Sequence, residues 1–358
     1  MTAIQRLIKT AGRARYAAAQ GIRSAWYGGQ YLLARQRSAG FNRPGEPAFQ
    51  PNKKPDLKAL RRAYFDLFRR DRANIEAGLY PDPVARELNP AKMVSTVRRA
   101  RAFFADIPDV DRRRVSRDGT EIRRRQPTDL SRYPAYYRQN FHYQTDGWLS
   151  EQSAYIYDHQ VEALFTGSAA AMRRAALAEL AKDIRAHGQK GYRLVDLACG
   201  SGSFLSQLMT AYPRLEAQGV DLSPAYVATA RRALRHWPQV EVIEANAESL
   251  PFSEGTIDGL VSIYLFHELP IKIREKIIYE AARIIRPGGC FVVADSLQFG
   301  DNERLDGILE YFPEGFHEPY YKEYLGWDFE PAMMRAGFEL ETHTLAFLTK
   351  VRVWRRVG

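Results

Sequence analysis

The sequence predicts an α/β fold in which a seven-stranded, mostly parallel sheet with an antiparallel edge strand follows a helical N-terminal extension. Three observations predict this fold. From residue 192 onward, short apolar runs alternate with helical patterns, which is typical of a parallel sheet with helices on both faces. The last two apolar runs have almost no sequence between them, which excludes a helical crossover. Upstream of residue 190 the patterns are helical.

Composition separates the N-terminal third from the rest of the 358-residue chain. Residues 1–130 hold 28 Lys and Arg against 13 Asp and Glu, whereas the remainder holds 24 against 29. This asymmetry indicates an appendage with a partner surface of its own. The two cysteines, Cys199 and Cys290, have neither the number nor the spacing of a disulfide framework or a zinc site, so no metal is predicted.

The first 45 residues contain eight Lys and Arg and no acid. Ile4, Leu7 and Ile8 follow helical spacing among the basic residues, and Trp26 and Tyr27 add an aromatic face. A basic helix with an aromatic face is typical of a membrane surface, so residues 1–45 predict an anionic membrane as a partner. The alternatives are a helix docked on its own protein and an organellar transit peptide.

The segment 109–130 is very polar and contains arginine triplets at 112–114 and 123–125. Such runs are typical of a solvated surface loop, which we predict here, with phosphate binding as the alternative. Upstream of it, the patterns predict a linker over 41–56 and helices over 57–78 and 91–105.

Aromatic residues crowd into segment 131–165, and no single helical or strand period accounts for them. Aromatic side chains that one repeating face does not need are candidates for lining a pocket, although ordinary core packing is the alternative. Helices predicted over 150–165 and 168–187 complete an aromatic-rich helical cap over 131–190. From this segment we take as substrate candidates His142, Tyr143, Tyr155 and Asp158.

The apolar runs of the last 168 residues, 191–358, predict the sheet itself. Five strands alternate with helices, and two further strands with a short join must pair antiparallel. The predicted strands are 193–198, 215–220, 240–244, 257–264, 290–294, 338–344 and 347–355, and the predicted helices are 202–211, 224–236, 270–285 and 328–336.

The turn after the first strand carries the strongest functional signal. The strand ends at Asp196, and Gly200 and Gly202 then let the backbone approach a ligand closely. A dinucleotide turn would hold a pyrophosphate at this helix N-terminus, but a carboxylate at the mouth of the turn repels phosphate and pairs with an ammonium group. S-adenosylmethionine has an amino acid end, a ribose and an adenine but no phosphate, so it is the predicted cofactor.

Two further polar residues follow the next strands. Asp221 closes the second strand about twenty residues after the glycine turn, where an acid accepts hydrogen bonds from ribose hydroxyl groups. Asn246 follows the third strand, where a polar side chain can bond the adenine amino group. Ser223 and Pro224 are suited to begin the intervening helix, as cap and first-turn residue.

With these motifs in order, residues 190–358 resemble the class I S-adenosylmethionine-dependent methyltransferases, in particular the small-molecule branch that includes ubiquinone/menaquinone C-methyltransferases. The resemblance implies a Rossmann-like fold and a methyltransferase domain over 191–358. Ala198 departs from it, since the family usually has glycine there, and so does Asn246, where Asp is common. The resemblance implies as cofactor-binding residues Asp196, Ala198, Gly200, Gly202, Asp221, Leu222, Asn246, Ala247 and Tyr264.

Methyl transfer from a sulfonium mainly requires alignment of nucleophile, methyl group and sulfur. A base is needed only when the nucleophile carries a proton. His267, just beyond the fourth strand, is the predicted catalytic residue, and its alternative role is to cap the following helix or pack under a loop. The insertion after the fifth strand, 297–327, adds as substrate candidates Tyr311, His317, Tyr320 and Tyr321.

The sequence therefore predicts an S-adenosylmethionine-dependent methyltransferase that acts on a hydrophobic or aromatic small molecule at a membrane surface. The alternatives are an RNA or protein methyltransferase that uses the basic third, and a cofactor-binding assembly protein without turnover. No apolar run has the length of a membrane span and no signal peptide is evident, so the expected location is the cytoplasm, peripheral on the inner face of a membrane.

Overall fold

The computed structural model describes residues 3–38, 47, 49–87, 89–125 and 130–358. Its centre is one seven-stranded, mostly parallel sheet, as predicted, and the strand order is β3-β2-β1-β4-β5-β7-β6. The first five strands pair in parallel, and β7 runs antiparallel to both of its neighbours. The strands are β1 (Arg193–Leu197), β2 (Glu216–Asp221), β3 (Val240–Glu244), β4 (Ile257–Ile263), β5 (Ile285–Ser296), β6 (Phe338–Ala346) and β7 (Thr349–Arg356).

Fourteen α-helices of the described residues surround the sheet. Those upstream of β1 are α1 (Ala3–Arg37), α2 (Leu57–Glu76), α3 (Val84–Glu87), α4 (Pro90–Ser116), α5 (Ile122–Arg125), α6 (Glu151–Leu164) and α7 (Ala169–His187). Those among the strands are α8 (Ser203–Ala211), α9 (Pro224–Leu234), α10 (Ile271–Ile284), α11 (Asp306–Leu309), α12 (Phe312–Gly315), α13 (Tyr321–Leu325) and α14 (Glu330–Arg335).

Each face of the sheet has its own apolar core. On one face lie α7 and α8, whose alanines and leucines contact the strands closely, and α2 packs behind α7. On the other face lie α10 and α14, packed around Phe291 and Trp354. This arrangement leaves the carboxyl ends of the parallel strands open for a ligand, as in other open α/β sheets.

The N-terminal extension packs against the rest of the protein. Asp71 of α2 accepts two hydrogen bonds, of 2.8 and 2.7 Å, from the buried Arg174 of α7. His159 of α6 lies against Tyr27 of α1 and is 2.7 Å from Gln30 Oε1. The alternative of a helix docked on its own protein therefore describes the inner face of α1.

The prediction of a solvated loop over 109–130 is wrong where the structure describes this segment. Helix α4 continues through Pro108 to Ser116, well beyond the predicted end at 105. Arg113 is fully buried and pairs with Glu121, and Arg112 and Arg114 also pair with acids of the chain. The three arginines therefore pair with carboxylates of the chain, whereas the sequence pattern predicted that they would face solvent or bind phosphate.

One strand boundary also differs from the predictions. Strand β5 begins at Ile285 and not at residue 290, and its register shifts between the partner residues Ile257 and Gly259. Seven residues of the predicted linker over 41–56 lie outside the described residues, and the described ones, 47 and 49–56, form neither helix nor strand. Within the described residues, no helix combines the length and the apolarity needed to cross a membrane.

Candidate active site

A cavity of about 160 Å³ lies at the carboxyl ends of β1, β2 and β4. Its walls come from the turn after β1, from the ends of the strands and from the aromatic segment above them. Eight of the nine residues predicted to bind the cofactor line this cavity, namely Asp196, Ala198, Gly200, Asp221, Leu222, Asn246, Ala247 and Tyr264. Gly202 begins α8 instead, where a Cβ atom would lie 3.0 Å from Leu234.

The turn after β1 is held by Asp221. Its carboxylate accepts hydrogen bonds of 2.9 Å from the backbone N–H groups of Gly200 and Ser223. Ala198 and Gly200 have φ angles of 57° and 56°, in the left-handed region that favours glycine. Burial raises the pKa of Asp221 to about 6, against the opposing effect of these amides. Asp221 therefore shapes the turn as well as facing the cavity.

Asp196 provides a buried carboxylate for a cation. Its side chain is buried and lines the cavity, and Oδ2 has no hydrogen-bond partner among the described residues. Burial, reinforced by the charge of Asp221, raises the pKa of Asp196 well above its ordinary value. A bound ammonium group would satisfy the carboxylate and reverse this shift. The orphaned oxygen thus fits the amino group of S-adenosylmethionine.

Asp158 and Arg173 form the opposite wall of the same cavity. Asp158 Oδ2 accepts hydrogen bonds of 2.7 Å from the hydroxyl groups of Ser201 and Ser203, and its Oδ1 is 3.3 Å from Arg173 Nη2. The guanidinium of Arg173 is buried and offers a cation to a carboxylate. The cavity therefore contains separate partners for the two charged groups of an amino acid.

The third wall contains Asn246. Its Oδ1 accepts a hydrogen bond of 3.0 Å from the backbone N–H of Glu248, and its Nδ2 donates one of 3.2 Å to Glu248 Oε1. Tyr136 of the aromatic segment also donates a 2.8 Å hydrogen bond to Glu248 Oε1. These contacts fix the amide of Asn246 at the end of β3, where an adenine would lie.

A second, larger cavity of about 210 Å³ adjoins the first. Tyr157 and Tyr264 line both cavities, so the two spaces meet along these rings. The second cavity, called the acceptor cavity below, is enclosed by α1, α4 and α6 together with the segment 312–321. Its largely apolar wall includes Tyr31, Ala34, Phe103, Ile107, Val110, Val161, Leu164, Phe312, Phe316 and Leu348.

A buried ionic cluster lies on the floor of the acceptor cavity. His267 Nδ1 is 2.5 Å from Asp295 Oδ1, and His267 Nε2 is 3.6 Å from Glu268 Oε1. His142 Nε2 is 3.0 Å from the same Glu268 oxygen and 3.4 Å from Glu318 Oε1. His142, His267 and Glu318 line the acceptor cavity, whereas Glu268 lines the first cavity. The cluster therefore spans both spaces.

The pKa values of both histidines of the cluster are raised, and His267 favours the protonated state. Burial lowers the pKa of His267, but the adjacent Asp295 carboxylate outweighs burial and raises the pKa to about 10. Burial likewise opposes the charge on His142, and Glu268 and Glu318 raise the pKa of His142 above its ordinary value. A histidine that is already protonated donates hydrogen bonds and does not take up a proton.

Comparison with known proteins adds an independent result. Residues 194–289 match the family model described as a methyltransferase domain. A demethylmenaquinone methyltransferase from Thermus thermophilus is 35% identical over 104 residues, which are 29% of this chain and 46% of that protein. The segment from β1 to the start of β5 is therefore similar to a methyltransferase domain.

Two further proteins are similar to part of this chain, and the aligned share of each protein shows how far the similarity extends. A phthiotriol/phenolphthiotriol dimycocerosates methyltransferase from Mycobacterium leprae is 33% identical over 106 residues, 29% of this chain and 38% of that protein. A structure of an S-adenosylmethionine-dependent methyltransferase from Aquifex aeolicus is 19% identical, with a TM-score of 0.38, over 49% of this chain and 88% of that chain. The chain thus spans less than half the length of the curated relatives named here.

The predicted substrate residues fall into three groups around the methyltransferase domain. His142 and Tyr321 line the acceptor cavity together with His267, and Asp158 lines the first cavity. The others line neither cavity. Tyr155 lies under Arg99, Tyr311 against Phe49 and Tyr143 against His317, while His317 and Tyr320 bond Gln139. The catalytic role of His267 stays a prediction.

Sequence reasoning missed two residues that the geometry brings forward. Arg173 and Glu318 line the cavities, yet neither stands in a recognisable motif. One feature of the sequence could have pointed to Arg173. It stands beside Arg174 in an alanine-rich helix pattern, and arginines are unusual on a buried helix face unless they have a partner. Nothing in the sequence indicated that Glu318 would meet His142, because 175 residues separate them.

Proposed function

We propose that this chain transfers the methyl group of S-adenosylmethionine to a hydrophobic or aromatic small molecule in the acceptor cavity. The supporting observation is that the cavity at the strand ends and the acceptor cavity meet along Tyr157 and Tyr264. When bound, S-adenosylmethionine supplies an electrophilic methyl group on a sulfonium that leaves as a neutral thioether. The two adjoining spaces give donor and acceptor the fixed alignment on which such a displacement depends.

The residues of the first cavity divide the binding of the cofactor among them. Asp196 would pair with the amino group and Arg173 with the carboxylate. Asp221, which holds the turn, would accept from the ribose hydroxyl groups, and Asn246 would bond the adenine amino group. The aromatic residues Tyr157 and Tyr264 would exclude water from the side that faces the acceptor.

Calorimetry tests the cofactor site. The variant Asp196→Asn keeps the shape of the side chain but removes its charge, so S-adenosylhomocysteine should bind at least about tenfold more weakly, as expected for a lost charge-assisted hydrogen bond. Asp258→Asn, which alters a partly exposed carboxylate paired with Arg286, is the matched control. Unchanged affinity in Asp196→Asn would sink the proposed cofactor geometry.

Mass spectrometry of a native cell extract tests the acceptor class. The extract is incubated with enzyme and with S-adenosylmethionine carrying a deuterated methyl group. Hydrophobic or aromatic small molecules that gain this labelled methyl group should appear with wild-type enzyme and not with Asp196→Asn. Labelled RNA or protein in place of small molecules would favour the alternative substrate classes. Absence of any labelled product would favour an assembly protein without turnover.

We further propose that the protein works at a membrane surface, on which lipid-soluble acceptors reside. Helix α1 supports this with a stripe of exposed side chains, Ile22, Trp26 and Leu33, that recur at helical spacing. The opposite side of the same helix supplies Tyr31 and Ala34 to the acceptor cavity. An apolar stripe with tryptophan is typical of helices that lie in a lipid interface.

Vesicle sedimentation tests the membrane proposal with the full chain. The double variant Ile22→Ser/Trp26→Ser should lose most of its binding to vesicles that contain anionic phospholipid, because both side chains lose their apolar burial. Met334→Ser changes an exposed apolar residue on α14 and serves as the control. Equal sedimentation of the double variant and the wild type would exclude α1 as the attachment site.

A further inference from the structure

Asp106 and Glu318 are two buried carboxylates that line the acceptor cavity and have an oxygen without a hydrogen-bond partner among the described residues, and the one that contacts the histidine cluster is Glu318. Its side chain is only 6% exposed and lines the cavity, and its Oε1 is 3.4 Å from His142 Nε2. Its Oε2 has no hydrogen-bond partner among the described residues. A buried carboxylate oxygen without a partner carries a free-energy cost, and such an atom in a binding cavity is satisfied when a ligand donates to it.

The surroundings of Glu318 bring it to the point of ionisation. Burial raises the pKa of Glu318 to about 7, and Glu268 and Asp295 add to this rise, while the two histidines oppose it. The ionisation of this carboxyl group is thus moved toward neutral pH. The titratable groups that face it come from four other elements and are His142, His267, Glu268, Asp295 and Tyr321.

We propose that Glu318, and not His267, accepts a proton in the reaction, and that the acceptor molecule presents a phenolic or enolic hydroxyl group to Glu318 Oε2. This inference rests on the methyl transfer proposed above. His267 is unsuited to the role, since Asp295 engages its Nδ1 and holds it protonated. His267 instead supplies a positive charge beside the oxygen that becomes an anion.

The proposed step balances without any further reactant. The acceptor oxygen releases its proton to Glu318 Oε2 and forms a bond to the methyl carbon, while the electron pair of the broken carbon–sulfur bond remains on sulfur. The carboxylate becomes a neutral acid, and the positive charge of the sulfonium disappears. Glu318 later returns the proton to water when the product leaves.

The charge pattern of the cluster selects this chemical class. A purely hydrocarbon acceptor would leave Glu318 Oε2 buried without a partner. An ammonium ion would satisfy Glu318 but would gain nothing from the protonated His267 of the same cluster. A neutral phenol or enol donates to Glu318, and the oxyanion that forms is stabilised by the positive charge of His267.

Binding of two aromatic probes in the presence of S-adenosylhomocysteine tests the inference. The probes are 1-naphthol and 1-methoxynaphthalene. In the second probe a methyl group replaces the hydroxyl proton, so this probe cannot donate a hydrogen bond. Wild-type protein should bind 1-naphthol at least about tenfold more tightly at pH 8, as expected for a hydrogen bond to a charged group. The preference should weaken as the pH falls below 7, where Glu318 becomes protonated.

The variants separate this role from a structural one. In Glu318→Gln the preference for 1-naphthol should fall to about threefold or less and lose its pH dependence, and Glu318→Asp should restore part of both. Glu314→Gln changes an exposed carboxylate of the same segment, paired with Lys322, and should behave as wild type. Thermal unfolding of each variant monitors the fold.

Two outcomes would overturn the inference. Wild-type protein that binds both probes equally, or a hydroxyl preference that survives in Glu318→Gln with its pH dependence intact, would mean that Glu318 does not face the acceptor hydroxyl. Binding of S-adenosylhomocysteine without binding of either probe would count against the proposed acceptor class, and with it against this role of Glu318. The two failures are therefore distinguishable.

Discussion

Tyr157 and Tyr264 line both cavities of the candidate active site, so the space that fits the methyl donor and the acceptor cavity meet at these two residues. Tyr264 has a φ angle of 59°, in the left-handed region, and its hydroxyl is 2.7 Å from Thr349 Oγ1 of β7. Strained backbone of this kind persists where the surrounding structure holds it in place, and it concentrates at functional sites. The hydroxyl contact holds the ring from its far end.

We therefore expect Tyr264→Phe to lower the free energy of unfolding by about 1–2 kcal/mol, because the buried hydroxyl of Thr349 loses its partner. Urea unfolding measures this difference. Affinity for S-adenosylhomocysteine should change little, since the ring itself remains. Tyr279→Phe, at an exposed position of α10, is the control and should leave stability unchanged. Equal stability of Tyr264→Phe and wild type would contradict the structural role of the hydroxyl.

The backbone of Ala198, in the turn after β1, also lies in the left-handed region, and a substitution can test whether it is strained. A non-glycine residue in the left-handed region costs about 1–2 kcal/mol, and glycine avoids this cost. Part of the resulting gain in stability is lost, because glycine makes the unfolded chain more flexible. We expect Ala198→Gly to leave the free energy of unfolding unchanged or raise it by up to about 1 kcal/mol, and to retain cofactor binding. Ala228→Gly within α9 should lose about 1 kcal/mol instead. Similar losses in both variants would contradict the strain at Ala198.

The turn around Ala198 was predictable from sequence because its determinants are local. Asp196, Gly200 and Gly202 lie within one strand and one turn, and the apolar runs that mark the strands are equally local. The walls of the acceptor cavity were not predictable in this way. They combine α1, α4, α6 and the segment 312–321, which meet only after the chain has folded, and so Glu318 carried no signal of its own.

The arginine triplet at 112–114 illustrates the same limit. Composition alone predicts that the arginines of such a run are exposed to solvent. An acid elsewhere in the chain can nevertheless pair with one of these arginines, and the neutral ion pair can then be buried. Arg113 is buried because Glu121 follows it across a short turn and because the Tyr143 carbonyl and Thr145 hydroxyl accept from its Nη1 at 3.1 Å. A charge run therefore indicates a surface only when such partners are lacking.

This burial leads to a prediction for stability. Arg113→Met should lower the free energy of unfolding by about 3–5 kcal/mol, as expected when one partner of a buried ion pair is removed. Arg124→Met removes an exposed arginine that pairs with Asp118, and it should cost less than about 1 kcal/mol. Chemical denaturation of both variants gives the comparison. A loss in Arg113→Met no larger than that in Arg124→Met would contradict the burial of Arg113.

The buried carboxyl group of Asp196 predicts a proton linked to cofactor binding. In the free protein, burial and the charge of Asp221 raise the pKa of Asp196 well above its ordinary value. A bound ammonium group favours the ionised form and lowers this pKa, so binding is linked to proton release. Affinity for S-adenosylhomocysteine should therefore fall as the pH falls.

Calorimetry at pH 7–7.5 in buffers of different ionisation enthalpy measures this proton, at a pH above the pKa of about 6 of Asp221. Wild-type protein should release protons when the ligand binds, because the cation lowers the raised pKa of Asp196. Asp196→Asn should bind weakly and release none, whereas Asp258→Asn should release as much as wild type. Equal heats in all buffers for wild-type protein would mean that Asp196 is already ionised before the ligand arrives, and the raised pKa would then be wrong.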